Sequence, residues 1–135
     1  MNIGGYVLSD DKSLLQFDRI CELLSTTYWA KSRPKDIIAK SIEHSLCFGV
    51  YLDGVQVGFA RCITDYATTY YLCDVVIDEA HRGLGLGKAL VKHITEHESL
   101  TGAMGVLGTR DAHGLYEKYG FICDDGMYRP ADKGG

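Results

Sequence analysis

The chain has 135 residues, 46% of them hydrophobic and 24% charged, and carries a formal net charge of −4. That length and balance describe one globular domain, 1–135, with a real core. They argue against a nucleic-acid partner, which needs a basic face, and no apolar run is long enough to span a membrane or pattern a signal peptide.

Tyr6–Ser9 reads as a short first strand and Asp10-Asp11 as a turn. Residues 18–27 have helical periodicity, with Ile20, Leu23, Leu24 and Thr27 on the inner side. Ser32-Arg33-Pro34 opens a second helix, marked by Ile37, Ile38 and Ile42, that runs to about His44. Residues 46–52 and 55–64 are strands joined by the hairpin signal Asp53-Gly54. A turn at 66–68 leads to a central strand, 70–77, and then to a helix running to about His97 with Leu86, Leu90, Val91 and Ile94 on one face. A strand at 104–109, a short helix at 112–119 and a last strand at 121–128 complete the order, and the Gly134-Gly135 tail is expected to be disordered.

Between the central strand and its helix stands Arg82-Gly83-Leu84-Gly85-Leu86-Gly87-Lys88. A glycine-rich link from a strand end to a helix start is an anion site: unpaired N–H groups point outward and the helix dipole favours negative charge. Arg82 and Lys88 add positive charge at its rim. The spacing excludes a P-loop, because Arg82 stands where the first glycine belongs and Ala89 where Ser or Thr would hold magnesium. It excludes the dinucleotide fingerprint too: Lys88 and Leu90 fall where G-x-G-x-x-G needs its third glycine. What remains is [Q/R]-x-x-G-x-[G/A], met by Arg82, Gly85 and Gly87.

This pattern resembles motif A of the GCN5-related N-acetyltransferases (GNAT), whose loop holds the pyrophosphate of coenzyme A. A second stretch, Ala112 to Phe121, resembles the A-x-x-L-Y-E-K-x-G-F signature of the same superfamily, in the expected order and separation. Tyr28-Trp29-Ala30, 45–50 and 58–61 resemble small single-domain bacterial members. The resemblance implies the acyl-CoA N-acyltransferase fold, of α/β (α+β) class. Its central mixed twisted sheet is flanked by about four helices, and its fourth and fifth strands, here 70–77 and 104–109, run parallel and splay.

It also implies a chemistry. Acetyl-CoA would be the cosubstrate and an unidentified primary amine, on a small molecule or a protein, the acceptor. Gly83, Leu84, Gly85, Leu86, Gly87 and Lys88, with Arg82, would hold the pyrophosphate. Backbone groups of Val75, Val76 and Ile77 would pair with the pantetheine amides, and Thr109 would touch the cofactor where many members carry Asn. Glu79 stands where many carry Pro. Tyr116 matches the tyrosine near the thioester sulfur, where a phenol can give a proton to a departing thiolate. Asp74 is the lone carboxylate in the apolar run 70–77 and is expected to serve the acceptor amine as a proton acceptor or to be paired structurally. The acceptor site would draw on Tyr28, Trp29, Arg33, Asp65 and Tyr66. Two other readings of the same residues are a catalytically silent acyl-CoA sensor and a transferase for longer acyl groups.

Five scattered cysteines form no C-x-x-C pair, which suits a reduced cytoplasmic protein with buried thiols. No metal site is expected; His93 and His97, at i and i+4, are read as polar residues on a solvated face. Asp111 is the simplest N-cap for the helix at 112–119, and a homodimer is left open.

Overall fold

Alternating and continuous apolar runs build a six-stranded sheet in the computed structural model, which describes residues 1–131. The strands are β1 (Asn2–Ile3), β2 (Tyr6–Ser9), β3 (Leu46–Leu52), β4 (Val55–Thr64), β5 (Thr69–Ile77) and β6 (Met104–Val106), in spatial order β1-β2-β3-β4-β5-β6. Every neighbouring pair is antiparallel except β5 and β6. Four helices flank the sheet: α1 (Phe17–Ser25), α2 (Lys35–Glu43), α3 (Leu86–Thr95) and α4 (His113–Glu117). None of these helices is long and apolar enough to cross a membrane. The expected fourth and fifth strands are thus β5 and β6, the short pair at Asn2–Ile3 adding one strand to the count.

β4 is buried without interruption from Gln56 to Cys62, the mark of a strand covered on both faces. On one face Phe48, Val50, Ala60, Cys62 and Leu72 pack with Leu86, Leu90 and Ile94 of α3. On the other, Cys47, Phe59 and Val76 pack with Ile20, Leu23 and Leu24 of α1 and Ile38 of α2. Arg19 pins α1 to the start of β4 and the end of β5, its Nε donating to Gln56 O (3.0 Å) and its Nη2 to Asp78 Oδ2 (3.1 Å).

Two irregularities in β5 shape the site. The first is a bulge. Phe59 pairs with Val76 and Arg61 with Cys73, so Asp74 and Val75 together oppose Ala60 alone. Asp74 takes φ of 54° there, a left-handed conformation that Asp tolerates better than most side chains. The extra residue breaks strict alternation. Leu72 and Val75 both pack toward α3, while Asp74 turns toward the α1–α2 side with Val76. The second irregularity is a splay: β5 pairs with β6 only through Thr69, Tyr70 and Tyr71, against Met104, Gly105 and Val106. Gly105 lets the Tyr70 ring lie across β6, since a Cβ there would come within 2.5 Å of the ring. Beyond Tyr71 the strands part.

Several boundaries differ from expectation. β6 ends at Val106 rather than Thr109, because the chain leaves the sheet where the strands diverge. The expected last strand at 121–128 does not form, and Ile122, Met127 and Tyr128 are largely exposed. Asp124, Asp125 and Gly126 interrupt it, being poor strand formers; they close a local turn in which Gly126 N–H donates to Asp124 O (3.0 Å) and Asp125 N–H to the Asp124 carboxylate (2.7 Å). Gly134-Gly135 lies outside the described residues.

Candidate active site

β5 ends at Ile77, a short 3-10 turn follows at Glu79–His81, and the glycine loop then enters α3 at Leu86. Gly83 and Gly85 hold φ of 81° and 79°, a conformation that favours glycine. The first backbone bond of α3 is Ala89 N–H to Gly85 O (3.0 Å). Six consecutive N–H groups before it, those of residues 83–88, donate to no acceptor among the described residues. This is the donor-rich, dipole-backed geometry that anions occupy. Gly87 is informative in a different way. It lies in the first turn of α3, where φ is unexceptional, and a Cβ added there would meet nothing within 4 Å. The fold itself does not require a glycine at this position; a bare backbone face suits close approach of something from outside. Arg82 is anchored beside the loop, its Nε donating to Ile77 O (3.0 Å), and Lys88 is exposed.

The splay opens a cavity of about 580 Å³ whose walls include Cys73, Asp74, Val75, Thr109 and Tyr116. Tyr116 sits on α4, its ring edge-on to Phe121 with centroids 5.9 Å apart. Its hydroxyl makes no hydrogen bond among the described residues. Burial, and then the charge of Asp111 and the neighbouring Tyr28, raise its pKa, so the phenol stays protonated at neutral pH. Thr109 Oγ1 accepts from Ala112 N–H (3.0 Å), capping the start of α4; this is the role expected of Asp111, whose carboxylate makes no cap. Burial pushes the Cys73 thiol up to about 11, which leaves it a protonated, weak nucleophile.

The loop between α1 and α2 carries Tyr28, Trp29 and Arg33 to the same cavity. It is held by its own bonds: Thr27 Oγ1 donates to Leu24 O and accepts from Ala30 N–H, and Arg33 N–H donates to Ala30 O. Asp74 is the hub of what they form. Its Oδ1 accepts from Trp29 Nε1 (3.0 Å), and its Oδ2 accepts from both Arg33 Nη1 (2.8 Å) and Arg61 Nε (3.0 Å). The Asp74 side chain is only 2% exposed. Burial by itself would raise its carboxyl, but the hydrogen bonds and charges of Arg33 and Arg61 together outweigh it and hold the group below the usual carboxylate range. Arg61 also donates from Nη1 to Ser45 Oγ (3.1 Å).

Arg61 and Ser45 are the members of this cluster that the sequence did not single out. The signal was present: Arg61 is a lone cation between Ala60 and Cys62 in a buried strand, the counterpart of the lone carboxylate in the next strand. Asp65 and Tyr66 are not brought to the cavity wall. They form the β4–β5 turn, where Asp65 accepts from the N–H groups of Ala67, Thr68 and Thr69 and from the Thr68 hydroxyl. His113 faces a second, larger cavity of about 700 Å³, bounded by residues 119–124 and sharing only Gly108, Thr109 and Tyr116 with the first. Among the described residues no cluster of three His, Cys, Asp or Glu side chains could hold a metal ion.

Residues 17–121 match the model of the Acetyltransferase (GNAT) family. A solved structure from Xanthomonas campestris pv. campestris, provisionally assigned as a GNAT-family acetyltransferase, is 43% identical with a TM-score of 0.90 and covers 96% of each chain. A Gibberella zeae protein with a provisional acetyltransferase name is 34% identical over 69% of this chain, and the chain spans 64% of that protein's length. A GNAT family acetyltransferase from Elizabethkingia anophelis, solved with acetyl-CoA bound, shares the fold at a TM-score of 0.70 and 16% identity over 91% of this chain and 80% of its own. With the glycine loop, the splayed strands and the Tyr116 helix in place, the chain belongs to the GNAT acetyltransferase family.

Proposed function

We propose that the protein is an N-acetyltransferase that moves the acetyl group of acetyl-CoA to a primary amine of a small molecule or protein by direct attack within a ternary complex. The observation that carries this reading is the run of six N–H groups, unpartnered among the described residues, at the bare face of Gly87. The run follows the strand whose Val75 walls a cleft with the Tyr116 phenol. These donors, with Arg82 and Lys88, fit a pyrophosphate. The edge of β5 past Tyr71, at Val75–Ile77, is free of a strand partner on the β6 side and can take the pantetheine amides as an added strand. When bound, acetyl-CoA supplies the activated acyl carbon.

Tyr116 is the proton donor to the departing sulfur. Thr109 holds the α4 turn on which Tyr116 is mounted. Asp74 is assigned a positioning role: its two oxygens already accept three hydrogen bonds and its carboxyl is held low, so it fixes Trp29, Arg33 and Arg61 around the acceptor mouth instead of taking the amine proton. That proton leaves to solvent. The five unpaired cysteines suit a reducing cytoplasm.

The test is release of free thiol from acetyl-CoA across a panel of amines, with the N-acetyl product identified by mass spectrometry. Amine-dependent release is expected. Tight acetyl-CoA binding with no amine-dependent release would make the protein a sensor, and faster release from longer thioesters would change the acyl donor.

Gly87→Val places a branched side chain where phosphate oxygens would approach. It is expected to weaken CoA binding by at least tenfold, about 1.4 kcal/mol, with little change in melting temperature because the Cβ meets open space. Unchanged affinity by calorimetry would remove the loop from the site.

A further inference from the structure

Resting on the N-acetyltransferase reading, we infer that the acceptor amine carries a carboxylate, which is bound by Arg33 and Arg61. The charges of the Asp74 cluster do not balance. Two guanidiniums, with side chains 18% and 11% exposed, share the single buried carboxylate of Asp74. The Asp74 cluster therefore carries one net positive charge, in a chain whose overall charge is −4. Asp111 is the second carboxylate on the cavity wall.

One arginine would suffice to pair Asp74. Burying a second guanidinium against the same carboxylate costs desolvation. Each guanidinium carries five N–H donors. Arg33 uses only Nη1, and Arg61 only Nε and Nη1, on the described residues. Both residues line the cavity, and a carboxylate matches the planar fork of a guanidinium. The same cavity supplies the complementary end: Asp111 lies near Tyr116 and can attract the ammonium to the place where the acyl carbon is expected. Trp29 and Tyr28, edge-on at 4.9 Å, form an apolar lip beside these charges. A zwitterion, ammonium toward Asp111 and carboxylate toward Arg33 and Arg61, meets the charge pattern at both ends.

The experiment compares the twenty common amino acids with their carboxamides as acceptors. The amide keeps the amine and side chain but removes the negative charge. Its amine is also less basic, so a larger share is unprotonated at neutral pH, and chemistry alone favours the amide. The expected result is at least one amino acid whose kcat/KM exceeds that of its amide by tenfold or more. In Arg33→Gln, which leaves Arg61 and Trp29 on Asp74, that ratio should fall tenfold or more, the acid losing more than the amide, with CoA affinity near wild type. Amides used as well as acids, or a variant that slows both equally, would overturn the inference. So would transfer confined to amines without a carboxylate, such as polyamines, a result that leaves the acetyltransferase reading intact. Absence of transfer to any amine would count against that reading itself.

Discussion

Tyr116→Phe lowers turnover by roughly 10²-fold or more, the usual scale of lost acid catalysis, and leaves the affinity for acetyl-CoA unchanged. The reasons lie in what the hydroxyl does not do. It holds no hydrogen bond among the described residues, and the ring packs against Phe121, so removing one oxygen leaves the packing intact. Burial keeps the phenol protonated, as a proton donor must be. The measurement is steady-state kinetics beside calorimetry of acetyl-CoA binding. Equal turnover in the two proteins would reduce Tyr116 to a packing residue.

The second large effect is on stability. Asp74→Ala leaves the Arg33 and Arg61 guanidiniums buried without their shared carboxylate. Removing one partner of a buried pair costs about 3–5 kcal/mol, and Ala is also poorly suited to the positive φ at this bulge. Asp74→Asn tolerates that backbone and removes only the charge, so its melting temperature should fall between those of wild type and Asp74→Ala. Its activity should drop by the same factor at every pH. A loss confined to neutral pH and relieved at high pH would return the proton-accepting role to Asp74. The carboxyl is held below its ordinary value of 3.8, so its charged form stabilises the fold. That contribution is fully present above pH 3.8 and disappears as pH falls through the lowered folded value. Acid should therefore narrow the stability gap between wild type and Asp74→Asn, as followed by melting temperature against pH.

The strand–loop–helix placement of the glycines and the helix that carries Tyr116 were legible in the sequence because each depends on local chemistry. Alternating glycines at a strand–helix junction need no tertiary information, and neither does a phenol in a contiguous motif. Asp74 was visible only as an anomaly. Its face depends on a bulge, and the bulge depends on register against β4, which a strand's own residues do not reveal. Arg61 and Arg33 became its partners through contacts 13 and 41 residues away in sequence. Asp65 looked like a ligand because it is a carboxylate near the expected acceptor region, but four donors from its own turn consume it. The strand expected at 121–128 rested on Ile122, Met127 and Tyr128, and the Asp-Asp-Gly turn between them outweighs their propensity.

Where acetyl-CoA sits is best measured by backbone amide NMR during titration of the unmodified protein. The largest shifts are expected at residues 83–88 and along Val75–Ile77, with smaller ones at Thr109 and Tyr116. Saturable binding whose shifts instead cluster at residues 119–124, around the larger cavity, with the loop amides unmoved, would contradict the assignment of the loop as the coenzyme site.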